Sequence, residues 1–134
     1  MIQLLFVFSD FGLLALRLVL GLIMVAHGWP KIKNLQKTKA EFAMMGFRPP
    51  LFWGIAAGAV ELFGGLMIIF GFLTQIAALF IFIQFIVAIL KVKRKAGFVN
   101  GYEFDLLIAA AALAFVFFGG GLYGLDEFFK ILIY

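Results

Sequence analysis

Gly54-Ile-Ala-Ala-Gly58-Ala-Val-Glu61-Leu-Phe-Gly64-Gly65 is the stretch on which the reading of this chain turns. At about 100° per residue, Gly54, Gly58, Glu61 and Gly65 fall on one narrow helical face, so one carboxylate sits in a groove cut by glycines. The residues around it are apolar. A carboxylate in the middle of a hydrophobic span is costly in lipid, so it is expected to face the bundle interior with a partner. The small-xxx-small spacing of the glycines points to close helix packing. It is not a nucleotide loop, because neither a preceding strand nor a following helix N-terminus frames it.

The whole composition agrees with a membrane setting. The 134 residues are 66% hydrophobic and 13% charged, with a mean hydropathy of +1.16, whereas a soluble domain carries about 25% charge. The length allows four spans of about 20 residues with short connections. The expected fold is therefore an all-α membrane protein, a single domain over 1–134 built as a four-transmembrane-helix bundle with a short interfacial helix in the first loop. Zero cysteines exclude disulfides, thiolate catalysis and Cys-based iron–sulfur or zinc sites. One histidine excludes a bis-His haem, and a lone His with scattered carboxylates has no metal-ligand spacing. No metal is expected.

The first ten residues lack the basic n-region of a secretory signal and read as a lead-in to span 1. Span 1 is expected at about 11–29, with Ser9 or Asp10 as N-cap and Pro30 as its stop. Arg17, Gly21 and Gly28 share one of its faces, and His27 lies on another side. The following connection is basic but interrupted by Ile32, Leu35, Phe42, Met44 and Met45. Thr38 and Glu41 have capping-box spacing and Gly46 suits a C-cap, which predicts an interfacial helix from about Lys39 to Met45. Spans 2, 3 and 4 are expected at about 51–72, 74–90 and 102–122, with Gln84 the strongly polar residue inside span 3 and Glu103 and Asp105 opening span 4. The tail from Leu125 to Tyr134 is amphipathic in composition and suits the membrane surface.

Nine of the eleven Lys and Arg residues lie between spans 1 and 2 or between spans 3 and 4. By the positive-inside rule those loops are cytoplasmic and both termini are outside, in a multi-pass protein of the cell membrane. The net charge of +4 is thus a matter of topology and anionic headgroups, with no nucleic-acid partner. Aligning the spans by their ends puts Arg17 about 7 Å in depth from Glu61, within reach of an arginine side chain. The pair is then either a structural lock between helices or a polar site that binds a headgroup or relays protons. His27 and Glu103, near the same ends of their spans, form a candidate second pair.

The ordered set Arg17-Leu-Val-Leu-Gly21, His27-Gly28-Trp29-Pro30-Lys31, Gly46, Glu61-Leu-Phe-Gly64-Gly65, Gly71-Phe72-Leu73-Thr74, Gly101-Tyr102-Glu103 and Leu125-Asp126 resembles the DoxX family of small four-helix membrane proteins. The resemblance covers about Leu13 to Asp126. It implies a link to quinone or membrane redox chemistry and a functional polar set of Arg17, His27, Lys31, Glu61, Glu103 and Asp126, with Gly21, Gly28, Gly54, Gly58 and Gly65 as packing positions.

The leading expectation is a redox-associated subunit that binds a quinone or similar lipid-soluble molecule between its helices. Nothing in the chain holds a covalent cofactor, so electron transfer needs a membrane or soluble oxidoreductase partner. The rival expectation is a non-catalytic scaffold whose buried polar residues are structural. A small transporter fits less well, since four helices leave little room for alternating access unless the chain oligomerises. The alanine-rich surface of span 4 leaves homo-oligomers open.

Overall fold

The computed structural model describes residues 5–131. Among the described residues, four helical segments are long and apolar enough to cross a membrane: Phe6–Lys33, Pro50–Phe70, Thr74–Ala96 and Phe98–Phe118. Within them lie α1 (Ser9–Lys33), α3 (Pro50–Phe70), α4 (Thr74–Ala88) and α5 (Glu103–Phe118), while α2 (Leu35–Met44) and α6 (Leu125–Phe129) are short. No strand occurs among the described residues. The fold is the expected all-helical four-span membrane bundle.

α1 and α3 pack antiparallel along their glycines. A methyl carbon at Gly65 would lie 2.8 Å from Met24 Cβ and 2.9 Å from the Gly21 carbonyl, and one at Gly58 would lie 2.8 Å from Ile32 Cδ1. At Gly28 it would run into the backbone of Leu62. The backbones therefore approach as only glycine allows. α3 and α4 are joined by a three-residue turn in which Gly71, at φ 67°, closes α3 and reverses the chain. α4 and α5 form the second tight pair, and Leu20, Met24, Ile68, Ile81, Ile108, Ala112 and Phe115 fill the centre.

Several boundaries differ from the sequence expectation, each for a physical reason. α1 does not stop at Pro30; it runs on to Lys33, since a proline near a helix end forfeits few backbone bonds. α2 begins earlier than Lys39, because Asn34 rather than Thr38 caps it: Asn34 Oδ1 accepts from the Lys37 amide at 3.2 Å. The Thr38 hydroxyl instead donates back to Lys31 O at 2.8 Å, which ties α2 to the end of α1. Gly46 at φ 86° does end the turn after α2. α4 does not break at Leu90 but widens into a π-helical turn over Ile89–Lys93 and a 3-10 turn over Arg94–Ala96. The fourth segment ends at Phe118, where Gly119 takes φ 71°. The start of the lead-in, 1–4, and the end of the tail, 132–134, lie outside the described residues.

Candidate functional site

Glu61 lies midway along α3 and is only 4% exposed. Its neighbours on that face are Gly58 and Gly65, so nothing on α3 itself covers the carboxylate and its partners come from other helices. Lys31 Nζ meets Oε2 at 2.7 Å, and Gln84 Nε2 donates to Oε1 at 2.6 Å. Both oxygens thus have a donor, one from α1 and one from α4. A buried charge needs this combination of an ion pair and a further hydrogen bond to offset its desolvation.

Lys31 also donates to the His27 carbonyl at 3.2 Å, and its side chain keeps 23% of its surface. It borders a recess of about 200 Å³ between His27, Pro30 and Lys31 of α1 and Lys37, Thr38 and Glu41 of α2. One cation therefore links a buried carboxylate to an open pocket. The arrangement offers a buried acceptor held by two donors, one of which, Lys31, also lines the recess.

Arg17 does not pair with Glu61. Its Nη1 donates to Gly120 O at 2.5 Å and its Nη2 to Tyr123 O at 3.1 Å. The expected pairing fails on register: α1 starts at Ser9 and continues to Lys33, which carries Arg17 to the level of the α3–α4 turn and Lys31 to that of Glu61. Arg17 and Lys31 are 14 residues apart, or about 21 Å along the helix. Asp126 lies at the same α3–α4 turn as the Arg17 guanidinium. Its Oδ1 and Oδ2 accept from the backbone amides of Leu73 at 2.6 Å and Thr74 at 2.9 Å, so α6 supplies the N-terminal cap of α4.

His27 and Glu103 form no pair. His27 is exposed with its ring 6.2 Å from that of Phe104, and Glu103 is exposed at the start of α5. The structure thus divides the six predicted polar residues into Lys31 with Glu61 beside His27, Arg17 with Asp126, and Glu103 apart.

Two polar contacts were not anticipated. Gln84 is a direct partner of Glu61, and the sequence did carry the signal: Glu61 lies ten residues before Gly71 and Gln84 eleven after Leu73, which puts them at one depth across the turn. Lys93 reaches buried Asp105 at 2.9 Å. That pair depends on the wide turn at Ile89–Lys93, which periodicity does not forecast. Among the described residues, no three His, Cys, Asp or Glu side chains gather as a metal site.

The DoxX family model matches residues 12–94, a segment that includes Lys31, Glu61 and Gln84. CatD of Bacillus subtilis (strain 168), provisionally named an oxidoreductase, is 33% identical over 119 residues, covering 89% of this chain and 87% of CatD. The inner membrane protein YqjF of Escherichia coli (strain K12) is 32% identical over 122 residues, covering 89% of this chain and 92% of YqjF. No solved structure matches the chain. The matched segment spans well over half of the sequence, and the chain belongs to the DoxX family of membrane proteins.

Proposed function

We propose that this protein is a redox-associated membrane subunit that takes the polar head of a quinone, or a similar lipid-soluble molecule, at the Lys31–Glu61–Gln84 centre. The observation that carries the reading is that Lys31, the ion-pair partner of buried Glu61, also lines the His27–Glu41 recess. Intramembrane ionisable groups that meet a cavity are functional candidates by default. The oxidoreductase name of the Bacillus relative supports a redox setting.

In this reading a quinol hydroxyl replaces one donor on Glu61, whereas a quinone carbonyl accepts from Lys31 or Gln84. Glu61 then accepts or returns the proton that accompanies quinol oxidation, and Lys31 balances its charge. The electrons go to a partner oxidoreductase, which supplies the redox cofactor. His27 lines the entrance. In this reading the basic connections face the cytoplasm and both termini face outward, the orientation that the positive-inside rule favours.

The test is mass spectrometry of the lipids retained by protein purified in mild detergent, comparing wild type with Glu61→Gln at matched folding. A quinone enriched over bulk lipid in wild type and lost in the variant supports the site. Equal retention of bulk phospholipid alone by both sinks it and favours a scaffold held together by the same contacts.

A further inference from the structure

A second recess lies at the other end of the bundle, where Arg17 meets the α3–α4 turn. It has a volume of about 600 Å³ and is bounded by Arg17, Phe70, Tyr123, Leu125, Glu127 and Phe128, among others. That volume is in the range of about 300–1,000 Å³ found for small-molecule sites. We propose that this recess binds the carbonyl-bearing head of a neutral amphiphile, with Arg17 as the hydrogen-bond donor.

Three observations select that chemistry. Arg17 is 2% exposed, and its Nε is buried with no partner among the described residues. A buried N–H without an acceptor is costly, and an acceptor oxygen brought to the Arg17 side of the recess supplies the missing partner. The charges at the recess are already balanced. Asp126, which caps Leu73 and Thr74, lies at the same turn as the Arg17 guanidinium, and Glu127 of the lining pairs with Lys130 at 2.5 Å, so an anion entering here meets two carboxylates beside the one guanidinium. The remaining walls are aromatic and aliphatic, and the Tyr123 ring is held 5.1 Å from that of Phe11. A neutral head with a carbonyl oxygen and an apolar body fits all three.

The site is independent of the Glu61 reading, being about 21 Å along α1 from Lys31. The carbonyl could belong to a lipid ester or to a ring ketone, and photoaffinity probes separate them. Wild type in nanodiscs is treated with three diazirine-tagged compounds: a monoacylglycerol, a decyl-benzoquinone and palmitic acid. Labelled peptides are mapped, and the experiment is repeated with Leu125→Trp, which fills the recess, and with Glu61→Gln.

The expected result is that the monoacylglycerol or the quinone labels 122–128 more than palmitic acid does, and the stronger of the two names the source. Labelling falls about tenfold in Leu125→Trp, as loss of a full set of contacts requires, and is unchanged in Glu61→Gln. Palmitic acid labelling as strong as either neutral probe, or labelling spread evenly over lipid-facing helix surfaces, overturns the proposal. Should Leu125→Trp fail to fold, the wild-type map and the ranking of the three probes decide it alone.

Discussion

Lys31 Nζ and Glu61 Oε2 stand 2.7 Å apart across thirty residues of sequence, and this contact joins the last turn of the first membrane span to the middle of the second. Removing one member of a buried pair leaves a charge without its partner, at a cost of about 3–5 kcal/mol when burial is complete. Lys31 is partly exposed, so Lys31→Met is expected to cost less, about 2 kcal/mol. Adding Glu61→Gln should recover most of it. Unfolding of the single and double variants in detergent measures the coupling, and strict additivity would contradict the contact.

Gly28→Leu should cost about 3 kcal/mol, because the new side chain drives into the Leu62 backbone and Glu61 Cβ. Gly12 is the control. Nothing lies within 4 Å of a methyl group there, so Gly12→Ala should be neutral or gain up to about 1 kcal/mol from helix propensity. Thermal unfolding of both variants in the same detergent separates close packing from propensity.

Asp126→Ala removes both acceptors for the Leu73 and Thr74 amides. A lost N-terminal cap costs about 1–2 kcal/mol, and α6 loses its anchor on the α3–α4 turn. Limited proteolysis should then cut between 119 and 131 faster than in wild type, while the α1–α3 pair stays protected. An unchanged cleavage rate would show that Asp126 does not hold α6.

The absence of cysteine makes topology easy to read. Lys39→Cys and Lys95→Cys should react with an impermeant thiol reagent only from the cytoplasmic side, and Leu122→Cys only from outside. The opposite pattern would reverse the proposed orientation.

Much of this architecture was legible because a membrane limits the options: spans must be helical, and glycines at four-residue spacing must face a neighbour. Glu61 could be singled out for the same reason. Its partner could not, since Arg17 and Lys31 are both on α1 and the choice depends on where that helix begins and ends. Treating Pro30 as a stop placed Lys31 in a loop and Arg17 too deep. Asp126 was legible as a polar residue in a tail, but its role depends on α6 folding back onto a turn more than fifty residues earlier in the chain, which no local pattern encodes.

The most direct test is infrared difference spectroscopy on the purified protein as decyl-benzoquinol is added. A polar head that displaces Lys31 or Gln84 must change the carboxylate bands of Glu61. A difference signal in the carboxyl region is expected in wild type, retained in Glu127→Gln and absent in Glu61→Gln. No carboxyl signal in wild type, or one that persists in Glu61→Gln, would contradict the assignment of the ligand site to Glu61.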